Sequence, residues 1–177
     1  MQLFSLQKQL NELTEFPLEQ WQPPFCGQLP IRIDRDGQWW YQGSPIQRLE
    51  LVRLFAAVLS CQDGRYLLTT PAEQVEIQVD DAPFLLVQAD WQDSQDGPLL
   101  QLTTSLQQRY VVSAEYPVLL QPEPGSGQLL PYLQLKRGLS AKFSRNLYYQ
   151  LAEQAMLLEG EPPAFLLQSG AYRFPLG

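Results

Sequence analysis

The sequence predicts an α+β fold made of two small duplicated domains. Each is expected to be a mostly antiparallel sheet packed on one long helix, behind a short N-terminal helix. Three observations carry this. Short segments of alternating apolar and polar residues recur along the chain, bounded by Asp-Gly, Pro and Gly turns. Two longer stretches, one in each half, space their apolar residues as a helix does. The residues around those two stretches repeat. With 177 residues, 45% of them hydrophobic, the chain suits one large domain or two small ones.

Leu3, Leu6, Leu10 and Leu13 recur every three or four residues, so 3–14 reads as an amphipathic helix. Pro17 and Pro23-Pro24 end it and continue as a stiff, extended connector. Ile31-Arg32-Ile33-Asp34 alternates, Asp36-Gly37 turns, and Trp39 with Tyr41 forms a second strand, a hairpin signature. Gly43-Ser44-Pro45-Ile46 then breaks the strand and opens a helix. Its stripe is Leu51, Leu54, Phe55 and Val58, with Asp63-Gly64 as its stop. Segments 66–69, 74–79 and 84–89 follow as strands, punctuated by Pro71 and Asp80-Asp81-Ala82-Pro83.

The polar run 92–97 is the expected domain junction. It gives an N-terminal helix and connector over 1–22, a first domain over 23–95 and a second over 96–177. Strands are expected at 99–103, 108–113, 117–120, 130–135 and 139–143. Ser144 reads as the N-cap of a second helix reaching Leu158, with stripe Tyr148, Leu151, Ala152 and Ala155. Gly160 and Pro162-Pro163 turn into closing strands at 164–168 and 172–174. The halves then match: Arg48 precedes one helical stripe and a Leu67-Leu68 strand ending at Thr70, while Arg145 precedes the other and a Leu166-Leu167 strand ending at Ser169.

Composition excludes several chemistries. The chain has no histidine and only two cysteines. No Ser-His-Asp triad or imidazole shuttle can therefore form. Cys26 and Cys61 lack the spacing of a zinc or redox motif. Neither a G-x-x-x-x-G-K-[ST] loop nor G-x-G-x-x-G occurs, and no cofactor or metal is expected. A net charge of −7 argues against nucleic acid and anionic membrane as partners. Residues 1–95 hold six bases and thirteen acids, whereas 96–177 hold six of each. No apolar run approaches the roughly 18 residues of a membrane span. The first ten residues lack the basic start and apolar core of a signal peptide. With unpaired cysteines, the expected location is the reducing cytoplasm.

Arginine at a helix start opposes the helix dipole unless an anion is near. Arg48 and Arg145 both stand there, so each pairs with a carboxylate or waits for an anion. Asp80, Asp81 and Glu73 are the carboxylates to consider for such a salt bridge. The same three could hold a hard cation or serve as general acid and base, although Asp-Asp-Ala-Pro is also ordinary turn chemistry. Trp39, Trp40 and Tyr41 could stack a planar ligand, with the core the expected place for Trp39.

Several of these segments resemble a known bacterial family, domain-of-unknown-function family 1285. In the first half they are Asp34-x-x-Gly37-x-Trp39, Gly43-x-Pro45-Ile46-x-Arg48, Leu51-Val52-x-Leu54-Phe55, Thr70-Pro71-x-Glu73 and Asp80-Asp81-Ala82-Pro83-Phe84. Arg137-x-Leu139-x-Ala141, Arg145-x-x-Tyr148-Tyr149-x-Leu151, Ser169-Gly170 and Phe174-Pro175-Leu176 continue it from about Pro23 almost to the end. The resemblance implies two α+β domains made by duplication, the second loosely pleckstrin-homology-like. It also implies a small, nucleotide-like ligand in an interdomain groove, and a signalling role. No activity is established for that family.

The expected function is therefore non-enzymatic binding of a small anionic ligand. Arg48, Thr70 and Glu73 would come from the first domain, and Arg137, Arg145, Tyr148 and Ser169 from the second. Arginines would hold anionic oxygens, hydroxyls would orient the ligand, and Tyr148 would stack or donate. The alternatives are a protein-interaction module using a groove or strand edge, and a hydrolase using Glu73, Asp80 and Asp81 around a divalent cation.

Overall fold

The computed structural model describes residues 3–159 and 163–177. The chain divides into two compact units, Met1–Asp80 and Asp81–Gly177. Helix α1 (Leu3–Asn11) buries Leu6 and Leu10 against α2 (Leu49–Ala57). A 3-10 turn over Leu18–Gln20 follows. The connector then becomes strand β1 (Phe25–Ile33) directly after Pro24, earlier than the alternation suggests, because residues 25–28 are mostly exposed and carry no apolar pattern. Asp34 shapes the next turn, its carboxylate accepting from the Asp36 and Gln38 N–H groups and from the Trp40 indole.

Strand β2 (Trp39–Tyr41) pairs antiparallel with β1. Gln42 and Gly43 follow with φ of 48° and 79°, the pattern of a type I′ turn. So Ser44–Pro45 becomes a short edge strand, β3, and does not open the helix. Pro45 offers no N–H to a further strand. Helix α2 begins only at Leu49 and ends at Ala57. Asp63-Gly64, expected to stop that helix, instead turns between β4 (Leu59–Gln62) and β5 (Arg65–Thr69), again with two positive φ values of 50° and 77°. Strand β6 (Gln74–Val79) completes a sheet ordered β3-β2-β1-β6-β5-β4. Only β1 and β6 pair in parallel.

The first core is Ile31, Ile33, Trp39, Leu68, Val75 and Ile77 from the sheet, with Leu51, Val52, Phe55 and Ala56 from α2. Trp39 is in the core as expected and lies 6.5 Å, ring to ring, from Phe55. Val52 and Ala56 replace the half-buried Leu54 in the expected stripe.

The second unit runs β7 (Phe84–Gln92), β8 (Leu99–Thr104), β9 (Arg109–Val111), β10 (Val118–Pro122), β11 (Leu129–Gln134) and β12 (Ser140–Phe143). Their order is β10-β11-β12-β7-β8-β9, with β12 and β7 parallel. The run 92–97 is not a junction. It is the turn of the β7–β8 hairpin, closed by Gln92 opposite Leu99 and by the Ser94 hydroxyl donating to the Gly97 carbonyl. Helix α3 (Arg145–Ala152) follows β12 and stops well short of Leu158. A third sheet, β13-β14-β15, uses Met156–Leu158, Ala164–Ser169 and Tyr172–Pro175. Of the turn expected at Gly160 and Pro162-Pro163, Gly160 and Pro162 lie outside the described residues. Leu147 and Leu151 carry the buried face of α3, whereas Tyr148, Ala152 and Ala155 are half-buried.

Counted within its own unit, each six-stranded sheet has the order 3-2-1-6-5-4, with the first strand parallel to the sixth. This shared order fits a duplication. The helices do not follow it. α2 stands between the third and fourth strands of its unit, whereas α3 follows the sixth. Nor is either helix long, at nine and eight residues.

Phe55 is fully buried against Trp39. Phe55→Ala is therefore expected to cost about 3–5 kcal/mol of unfolding free energy in a urea titration. A loss under about 1 kcal/mol would mean that α2 does not share the sheet's core.

Candidate functional site

Arg48 is the N-cap of α2. Its carbonyl accepts from the Leu51 and Val52 N–H groups, but its side chain caps nothing. The helix start is thus left without a side-chain acceptor. Arg145 opens α3 behind Ser144, whose hydroxyl accepts from the Leu147 N–H at 3.3 Å. Both arginines are exposed. Neither has a side-chain hydrogen bond or ion pair among the described residues, and Lys8 and Arg109, away from those helix starts, share that state. By contrast Arg32, Arg65, Lys136 and Lys142 each meet a carboxylate at 3.0 Å or less.

The carboxylates weighed as partners for Arg48 and Arg145 are engaged elsewhere. Asp80 accepts from the Arg32 Nε at 2.9 Å and from Gln78 at 3.0 Å. Asp81 accepts from the Tyr132 hydroxyl at 2.8 Å and the Lys142 ammonium at 2.9 Å. Glu73 accepts from the Gln9 amide at 3.1 Å. The boundary between the units falls between Asp80 and Asp81, and the pair diverges. No group of three metal-ligating side chains assembles among the described residues.

Lys142 forms the most enclosed charged cluster described. Its ammonium lies 2.9 Å from Asp81 and 2.7 Å from Glu123, and the Asp81 side chain is only 2% exposed. Burial alone would lower the lysine's pKa, but hydrogen bonds to Glu123 and Asp81 outweigh it and hold the ammonium above the ordinary lysine range. An ammonium held between two carboxylates acts as a clamp. The Cys61 thiol is pushed up by burial, which keeps it protonated.

Three expected ligand residues have structural duties. Thr70 is fully buried. Its oxygen accepts from the Ala72 and Glu73 N–H groups, and its single O–H is donated to the Gln9 side chain at 2.7 Å, leaving no donor for a ligand. Gln9 bridges Thr70 and Glu73, fastening α1 to the β5–β6 turn. Ser169 is also buried and accepts from the Leu100 N–H at 2.9 Å, tying β14 to β8. Arg137 sits exposed in a 3-10 turn with a left-handed φ of 60°. Tyr148 is half-buried, edge-on to Tyr149 at 5.7 Å. Sequence reasoning missed Gln9 and the enclosed ion-pairing role of Lys142. Only Lys142 left a signal, being the base interleaved between Ala141 and Phe143 and so facing away from their side of the strand.

The chain matches the N-terminal domain of a domain of unknown function, DUF1285, over residues 16–82 and its C-terminal domain over residues 83–176. The chain belongs to the DUF1285 family. The family boundary at 82/83 agrees with the division after Asp80. A DUF1285 crystal structure from Silicibacter pomeroyi is 34% identical, covering 97% of this chain and 93% of its own, with a TM-score of 0.84. One from Shewanella baltica is 33% identical, covering 71% of this chain and 92% of its own, with a TM-score of 0.57. No curated protein matches significantly. No helix among the described residues is long and apolar enough to cross a membrane.

Lys142→Met leaves the Asp81 carboxylate buried without its cation, and is expected to cost about 3–5 kcal/mol in a urea titration at neutral pH. The folded-state pKa of Lys142 lies above its unfolded value, so its stabilisation is present below that unfolded value and lost as pH rises through the folded one. The gap between wild type and variant should therefore narrow as the solution becomes strongly alkaline. A gap unchanged through that range would contradict the assignment.

Proposed function

We propose that this protein binds a small anionic ligand, with nucleotides the first class to try, and does not transform it. The observation that supports this reading is the pair of exposed arginines at helix starts, Arg48 and Arg145, whose charge no described side chain answers. A guanidinium beside a helix N-terminus suits phosphate or carboxylate oxygens, because the dipole and the charge then act on the same anion. Tyr148, one turn along from Arg145, supplies a stacking face or a phenolic donor. Arg137 adds a further cation from an exposed turn. This reading takes the second unit as pleckstrin-homology-like, as the family resemblance implies, and α3 following its six strands accords with that. It does not extend to phosphoinositide membranes, because the net charge of −7 is adverse.

Removing either side chain should weaken a nucleotide's binding by about 1.5–3 kcal/mol, the worth of a charge-assisted hydrogen bond. The melting temperature without ligand should barely change. Thermal melting of Arg48→Ala and Arg145→Ala, with and without a nucleotide panel, checks both. Equal loss of one nucleotide in the two variants would assign both arginines to one ligand. Large melting losses in both, with no nucleotide shifting the wild type, would refute the reading.

A further inference from the structure

Strand β13 is the edge of its three-stranded sheet, with no strand beyond it among the described residues. Leu157 stands directly opposite Phe165 on β14. Phe165 turns its backbone the other way: its N–H donates to the Gly177 carbonyl at 2.7 Å, and its carbonyl accepts from the Leu176 N–H at 2.8 Å. In an antiparallel ladder both polar groups of a residue point to one side, and opposed residues share the same kind of site. The Leu157 N–H and carbonyl must then point outward along the free edge.

The side chains at this edge are apolar and wet. Met156 is 57% exposed, Leu157 56% and Phe165 41%. Directly opposed residues share a face, so Leu157 and Phe165 form an exposed pair on the face that is buried farther along β14 at Leu167. Trp91 of β7 donates its indole N–H to Gln154 at 3.0 Å, which holds an exposed aromatic ring at the head of the strand. Edge strands are ordinarily blunted by shortness, charge, proline or a bulge. β3 has its Pro45; β13 is short, at three residues, but carries no charge, proline or bulge.

Charge indicates the occupant. Residues 146–172 contain three acids, Glu153, Glu159 and Glu161, and no base. Glu153 and Glu159 flank the strand and are exposed. A second copy would bring the same acids and a further −7. We propose that the β13 edge takes, by strand addition, an extended segment of another protein with alternating apolar side chains and basic residues at its ends. Main-chain bonds at Leu157 would give affinity, the Leu157–Phe165 pair would select the apolar positions, and the flanking acids would select the ends.

The test uses the full chain and a fluorescein-labelled peptide of alternating valine and threonine between pairs of lysines, read by anisotropy. Saturable binding is expected, weakened about tenfold or more by Leu157→Lys and at least as much by glutamate ends on the peptide. Glu153→Gln with Glu159→Gln should weaken it roughly threefold and flatten its salt dependence. Protection of the Leu157 amide against hydrogen exchange on peptide addition gives a reading that does not depend on any variant folding. The proposal is overturned by no saturable binding, by equal binding of lysine- and glutamate-ended peptides, or by an unprotected Leu157 amide. A wild-type dimer in sedimentation velocity that Leu157→Lys dissolves would overturn it too, and assign the edge to a second copy.

Discussion

A parallel strand pair cannot be closed by a tight turn, and each unit of this chain has one at the centre of its main sheet. β1 lies beside β6 and β7 beside β12, in registers that set Ile33 against Val79 and Phe143 against Leu86. Bringing the first strand next to the sixth requires the four strands between them to fold outward as two meanders, one on each side. The order 3-2-1-6-5-4 follows. The central strands bury Ile31, Ile33, Val75 and Ile77 in one sheet and Phe84, Leu86, Ala141 and Phe143 in the other.

The same geometry accounts for the two adjacent aspartates. Asp80 directly follows β6 and Asp81 shortly precedes β7, so each lies at the end of a central strand. Each meets a base carried by the other central strand of its own unit, Arg32 on β1 and Lys142 on β12. The two pairs differ in weight. Arg32 is half exposed, and an ion pair of that kind contributes about 0–1 kcal/mol. Lys142 is enclosed by Asp81, Glu123 and the Tyr132 network, where losing one partner strands a desolvated charge. The Asp-Asp dipeptide is thus divided, Asp80 in a surface ion pair of the first unit and Asp81 in an enclosed one of the second.

Local chemistry made much of this legible. The Asp36-Gly37 hairpin, the strands from β5 through β12 and the Ser144 cap all follow from patterns a few residues long. The misreadings share a cause. Val58 and Leu59 prolong the apolar spacing of α2, and Ala155, Met156 and Leu157 prolong that of α3, so β4 and β13 look like helix until their pairing partners are known. Residues that hold the fold by distant bonds leave no local trace. Gln9 reaches Thr70 and Glu73 across more than sixty positions, and Ser169 reaches Leu100 across 69. The shared Arg–helix–hydroxyl pattern suggested that helices were duplicated; the sheets carry the repeat instead.

With Thr70, Glu73 and Ser169 committed to the fold, the cations at helix starts and the bare β13 edge lie outside the central strands, on elements free to vary without disturbing them. Native-state hydrogen exchange tests the underlying claim, that each unit is anchored by its parallel pair. The slowest amides should lie at Ile31, Ile33, Val75 and Ile77 in the first unit and at Leu86, Ala141 and Phe143 in the second, with α2 and α3 exchanging sooner. Slowest exchange in α2 and α3, with the central strands opening first, would contradict it.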